Sequence, residues 1–366
     1  MRYMIETNAG VPAYLQLYRQ IREDIVQGIY PYGGRLPSKR TVAAETSVSI
    51  ITVEHACALL CDEGYVEARE RSGYFVIFRT GDGFAAAAPQ VSRIRPEGKR
   101  ENGGEPAFPF SVLAKTMRHV LSEMGESILA RSPNAGCLRL REALRQYLAR
   151  SRGISAEIGQ IIIGSGSEYL YGLIVELLGR DKVYAIETPS YKVIEQVYRA
   201  ADVRYERLPL GADGIDSEAL WTSTADVLHI SPYRSFPSGV TASASKRHEY
   251  LRWAAKRGAY IVEDDFESEF SVSTKPEETL FADSADGSII YMNTFSKTVS
   301  PSLRVGYMVL PEQLTEPFDA KLGFYSCTVP TYMQYVLAEL IENGDFERHI
   351  NRVRRSKRRS LADGEA

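Results

Sequence analysis

The sequence predicts two domains: three helices and a β-hairpin in front, and an α/β domain with a mostly parallel sheet flanked by helices behind. Three observations carry this. Residues 11–78 hold helix-period and then strand-period patterns in one compact run. Residues 80–105, "TGDGFAAAAPQVSRIRPEGKRENGGE", are rich in Gly, Ala, Pro and mixed charge with no sustained period, as linkers are. From residue 106 onward, short apolar runs alternate with helical stretches, the pattern of βαβ units. The expected boundaries are therefore 1–79, 80–105 and 106–366.

In the front domain, "PAYLQLYRQIREDIVQG" places Leu15, Leu17, Tyr18, Ile21 and Ile25 at helical spacing. Pro31, Gly33, Gly34 and Pro37 end that element. Ser38 is the expected N-cap of a short second helix, and Ser49 that of a third with the stripe Val53, Ala56, Leu59 and Leu60. Gly64 stops the third helix. "YVEARERSGYFVIF" alternates about a turn at Arg71-Ser72-Gly73 and predicts a hairpin.

Three helices and a hairpin describe a winged helix-turn-helix, whose third helix would enter the major groove of double-stranded DNA. Arg35, Lys39, Arg40, Arg69 and Arg71 fall on the loop, the second helix start and the wing, where they would reach phosphates. A small helical domain that binds protein fits the same pattern. The stretch from Gly28 through Arg35-Leu36-Pro37-Ser38-Lys39-Arg40, Val48-Ser49, Thr52-Val53, Leu60, Glu63-Gly64 and Ser72-Gly73 closely resembles the GntR-family DNA-binding domain. The resemblance implies DNA contacts from Arg35, Ser38, Lys39, Arg40, Ser49, Thr52, Arg69, Arg71, Ser72 and Gly73. It departs at Ile50 and Ile51, where the family often has a polar residue or Arg. An apolar pair there can meet a thymine methyl but cannot grip guanine.

Behind the linker, "QIIIG", "KVYAIE", "VRYERL", "DVLHI", "AYIVED", "SIIYMN" and "RVGYMVL" read as strands. "SEYLYGLIVELLG" and "SKRHEYLRWAAKRG" read as helices between them, and the last stretch, "FERHINRVRRSKRRSLADGEA", as a basic helix. Lys297 follows the strand that ends at Asn293, and Arg304 opens the next. A phosphorylated aldehyde cofactor needs a desolvated amine for a Schiff base and an acid opposite its ring nitrogen. It also needs a helix N-terminus with a cation for phosphate, and an aromatic face. The chain offers these in order. Gly166, Ser167 and Glu168 turn from a strand into a helix with amides aimed at phosphate. Tyr191 follows the next strand. Asp264 stands in the acidic end of "YIVEDD", and Thr294, Ser296 and Arg304 flank Lys297. Taken singly, a solvated lysine and a core tyrosine are the commoner readings, and surface acids at a strand end are the alternative for Asp264.

The order Gly-Ser turn, aromatic, strand-end Asp, Lys, Arg resembles that of fold-type I pyridoxal-phosphate aminotransferases. With the front domain it resembles the MocR-type regulators, in which a GntR winged helix is fused to an aminotransferase-like domain. "HISPYRSFPSGV", "IVEDDFESEF", "NTFSKTVSPSLRVGYMVLP" and "NAGCLRLREALRQYLARSRGI" carry the match. The resemblance implies pyridoxal phosphate bonded to Lys297, with Asp264 on its ring nitrogen and Tyr191 stacked on its ring. Gly166, Ser167, Glu168, Thr294, Ser296 and Arg304 would hold the phosphate. It also implies a homodimer and a small amine or amino-acid effector. Three departures stand out: Phe266 replaces the usual Tyr, Arg234-Ser235 replaces the usual His-Gln, and family members continue for roughly a hundred further residues. That further segment holds the arginine that grips a substrate carboxylate, so a truncated C-terminal small domain and little amino-acid turnover are expected. A regulator is the first reading. A true aminotransferase with a DNA-binding appendage, or a DNA-binding remnant without cofactor, stays open.

Composition sets outer bounds. At 366 residues and a net charge of −3 the chain has no global basic signature for nucleic acid. Cys57, Cys61, Cys137 and Cys327 form no CxxC pair, so no metal is expected, and Cys57 with Cys61 reads as a buried helix face. "MRYMIETNAG" is not a signal peptide and no apolar run spans a membrane, so a reduced, cytoplasmic protein is expected.

Overall fold

The structure, a computed structural model, describes residues 3–6, 10–70, 72–79, 107–266, 268–271, 279–284 and 287–364. The chain divides into two compact units, Met1–Lys99 and Arg100–Ala366. The expected linker over 80–105 lies outside the described residues. Among the described residues, no single helix is long and apolar enough to cross a membrane.

In the first unit, α1 (Ala13–Val26), α2 (Lys39–Thr46) and α3 (Ile50–Asp62) precede a hairpin of β1 (Val66–Arg69) and β2 (Gly73–Val76). Ser38 Oγ accepts from the Thr41 amide and Ser49 Oγ from the Thr52 amide, each at 3.1 Å, so each cap satisfies a first-turn donor. Helix α3 buries Val53, Ala56, Cys57 and Leu60 in a core shared with Leu17, Ile21 and Ile25 of α1. Leu59, expected in that stripe, is only partly buried, and Cys57 takes the inner place. Residues 34–36 run beside β2, with Val76 N donating to Gly34 O and Leu36 N to Tyr74 O, which widens the hairpin by a short third edge.

The second unit opens with α4 (Phe110–Met124) and α5 (Leu138–Arg152). There follow β3 (Ile161–Gly164), α6 (Ser167–Leu178), β4 (Val183–Thr188), α7 (Lys192–Ala200), β5 (Arg204–Gly211), β6 (Gly214–Ile215), α8 (Ser217–Thr222) and β7 (Val227–Ile230). Next come α9 (Ala244–Arg257), β8 (Tyr260–Asp264), α10 (Leu280–Asp283), β9 (Ile289–Thr294) and β10 (Gly306–Val309). The chain then runs through α11 (Thr315–Leu322), α12 (Thr331–Glu342) and α13 (Asp345–Gly364). One eight-stranded sheet has the order β3-β10-β9-β8-β7-β4-β5-β6. Strands β9, β8, β7, β4 and β5 are mutually parallel, while β10 lies antiparallel between β3 and β9 and β6 antiparallel on β5.

Side-chain alternation sorts the sheet into two faces. Ile162, Ile186, Val227, Val262, Ile290 and Met308 pack against residues of α6, α7 and α11. On the other face, Ile161, Ile163, Tyr291 and Val309 pack with α5, α12 and α13, while Ala185, Leu228, Ile261 and Ile289 pack with Tyr250 and Trp253 of α9. The central strands are covered on both faces, which is why they read as unbroken apolar runs.

Candidate functional site

Strands β3, β4, β7, β8 and β9 all point their carboxyl ends to one edge of the sheet, since β3 and β9 are each antiparallel to β10. In open α/β sheets that edge is where ligands bind. The turns leaving it carry Gly166–Glu168, Tyr191, Phe236, Asp264 to Phe266, and Thr294 to Lys297.

Glu263 and Asp264 end β8 and Asp265 follows them; all three are buried, and alternation sends Glu263 and Asp264 to opposite faces. Glu263 faces α10, accepting from Tyr233 Oη at 2.5 Å and from the Leu280 and Phe281 amides at 2.9 Å. Asp264 faces α6 and α7. Tyr171 Oη, from α6, donates to its Oδ2 at 2.5 Å, and His229 Nε2, from β7, lies 3.6 Å from the same oxygen. Tyr198 Oη, from α7, sits 2.6 Å from His229 Nδ1. With Tyr198 donating there, the histidine carries its own proton on Nε2, on the side of Asp264. That Nε2 is buried without a hydrogen-bond partner among the described residues. Burial and the Asp264 carboxylate push the Tyr171 phenol well above its usual range, so it remains a donor.

At the end of β3, Gly166 has φ +91 and no side chain caps α6. A Cβ on Gly166 would lie 2.8 Å from Arg304 Nη2, so only glycine lets the guanidinium lie against this turn. Arg304 itself is left-handed, φ +49, and its guanidinium is paired with the carboxylate of Glu168. Thr294 is buried at the end of β9 and Ser296 is half-buried. Tyr191 is 36 % exposed, and its ring lies 6.3 Å from Phe266 at 15° and 6.2 Å from Phe236. Lys297 Nζ lies 5.3 Å from the Phe266 centroid.

The sequence calls for a desolvated amine at 297. The structure differs: in one copy of the chain Lys297 is exposed, since its side chain leaves the turn beyond β9 outward while neighbouring Phe295 and Thr298 are buried. Sequence reasoning also missed Tyr171, Tyr198, His229 and Phe236, and it assigned Glu168 only by its backbone amide. His229 was the available signal, a lone polar residue in the apolar run of β7. The residues at this edge fit pyridoxal phosphate on two counts: a glycine turn closed to any Cβ beside an uncapped helix and a guanidinium, and a buried carboxylate already braced by a tyrosine. Among the described residues no group of three or more His, Cys, Asp or Glu side chains could hold a metal.

In the first unit, Arg35, Ser38, Arg40, Ser49, Arg69, Ser72 and Gly73 are exposed and Thr52 is partly so. Ile50 and Ile51 project from the start of α3, 45 % and 63 % exposed. Gly73, φ +102, lies against Arg35, whose Nε would be 3.2 Å from a Cβ there. Lys39 is joined to Glu54 of α3 at 2.6 Å, and Arg69 to Glu67 at 2.6 Å, so two of the expected phosphate cations are engaged by carboxylates. Arg71 lies outside the described residues.

Residues 13–76 match the family described as bacterial regulatory proteins, gntR family. Along 361 residues the chain is 31% identical to the uncharacterized HTH-type transcriptional regulator YdeL of Bacillus subtilis, covering 96% of this chain and 78% of that one. It is 28% identical over 375 residues to the probable rhizopine catabolism regulatory protein MocR of Rhizobium meliloti, covering 96% and 76%. The crystal structure of Pyrococcus horikoshii kynurenine aminotransferase in complex with PMP superposes with a TM-score of 0.62 at 28% identity. That likeness covers 69% of this chain and 66% of the aminotransferase, just under two thirds of its length.

Proposed function

Because this chain belongs to the GntR-family, MocR-type helix-turn-helix transcriptional regulators, we propose that it adjusts its hold on operator DNA in response to pyridoxal phosphate or to an amine that reacts with it. The observation that carries this reading is Asp264: a buried carboxylate, braced by Tyr171 and with His229 3.6 Å away, at the same sheet edge as the Gly166 turn and Lys297.

Pyridoxal phosphate supplies an aldehyde that condenses reversibly with amines, and a ring that draws electrons when its nitrogen is protonated. Asp264 would hold that proton at the ring nitrogen, its Oδ2 fixed by Tyr171 and its Oδ1 left for the ligand. Tyr191 and Phe266 would flank the ring. The amides that open α6, with Ser167, Thr294, Ser296 and Arg304, would take the phosphate. Lys297 would contribute the amine, and an effector amine would compete for the same carbon. An effector that favours one state of this domain then shifts the affinity of the winged helices, a coupling between two sites. A cytoplasmic homodimer would present two such helices to paired half-sites.

The test is the absorption spectrum of the purified protein with added pyridoxal phosphate, repeated on Lys297→Ala. A new visible band in the wild type that the variant lacks is the expected result. Superimposable spectra would overturn the reading, and steady keto-acid production from an amino acid would mark an enzyme instead.

A further inference from the structure

The most unexpected contact at the sheet edge is the ion pair between Arg304 and Glu168. Arg304 is the guanidinium that lies against the Gly166 turn, where a phosphate would be received. Glu168 is the second residue of α6, so its amide belongs to the same turn while its carboxylate covers the cation. Its Oε2 would stand 3.4 Å from a Cβ on Gly166, so the half-exposed carboxylate lies against the turn. Tyr191, on the turn after β4, leaves the same sheet edge as this turn.

We propose that Glu168 is an internal stand-in for phosphate: a phosphorylated ligand enters only by displacing its carboxylate from Arg304. This rests on the pyridoxal-phosphate reading and deepens it. A residue that merely donated to phosphate would raise affinity. A carboxylate in that place lowers it twice, by occupying the cation and by repelling a group that carries nearly two negative charges. Half-exposed Arg304 and Glu168 make a pair weak enough to be broken by a better anion. The consequence is a ligand held reversibly, so occupancy follows its concentration, which suits a sensor more than a permanently loaded enzyme.

The test uses the full-length chain as wild type, Glu168→Gln and Glu168→Ala, titrated with pyridoxal phosphate and, separately, with pyridoxal, which lacks the phosphate. Both variants should bind pyridoxal phosphate on the order of tenfold more tightly at low salt, with the gain shrinking as ionic strength rises. Affinity for pyridoxal should not move. Unchanged or weaker binding of pyridoxal phosphate by both variants, or an equal gain for pyridoxal, overturns the proposal. Thermal melting with inorganic phosphate separates this claim from the reading beneath it. If no chain binds pyridoxal phosphate, that reading fails. The stand-in role then survives only if phosphate raises the melting temperature of the variants more than that of the wild type.

Discussion

Glu187, next to last in β4, is almost wholly buried on the face opposite Asp264, with Ser235 Oγ donating to it at 2.7 Å. Burial pushes its carboxyl up to about 7, and it does the same to Glu263. The sign follows from linkage. A carboxyl raised by folding favours the protonated fold, so its contribution is whole below the usual glutamate range and is lost as pH climbs through about 7. The domain should therefore lose stability between roughly pH 5 and 8, and Glu187→Gln should flatten that decline. The displacement bounds the effect at roughly 3 kcal/mol, read by urea unfolding at a series of pH values. A variant with the same pH dependence as the wild type would contradict this. Individual residues were unevenly legible in the sequence. Asp264, Lys297 and Arg304 stand in short motifs whose order carries meaning. Tyr171, Tyr198 and His229 are ordinary core residues by composition, and only the sheet's alternation and its crossovers bring them to one carboxylate.

Element by element, the local signals were strong where the physics is local. Ser38 and Ser49 cap the helices the sequence gives them, and Gly64 ends α3 in the left-handed region. Ser49→Ala removes the acceptor for the Thr52 amide and should cost about 1 kcal/mol, seen as a lower urea midpoint for the first unit with an unchanged slope. No shift would mean that Ser49 is not the cap. The seven expected strands all form, but their neighbours were not legible. That β10 inserts antiparallel between β3 and β9, and that residues 34–36 run along β2, depends on pairings distant in sequence. The small strand β6 is two residues long and carries no period to read. The exposure of Lys297 belongs here too: a motif names the residue, while the depth of the turn that bears it is set by the surrounding loops.

For the whole molecule, the overall charge of −3 gives no basic signature for nucleic acid, while the GntR match at residues 13–76 and the relatives across nearly the full chain make it a DNA-binding regulator. A global charge misleads when the contacts belong to one unit. The first unit presents exposed Arg35 and Arg40 together with an apolar pair, Ile50 and Ile51, at the start of α3. The second unit brings an acid, an amine and a glycine turn to one sheet edge, in the fold of aminotransferases. On the proposed function the ligand must favour one state of the protein, since a ligand with equal affinity for both states shifts nothing. The most direct measurement is the affinity of the full chain for a duplex it has itself selected from a random pool, with and without saturating pyridoxal phosphate, in wild type and Lys297→Ala. The account predicts a shift of at least about fivefold in the wild type and none in the variant. Equal affinities in the wild type, under conditions where the visible band shows the ligand bound, would contradict it.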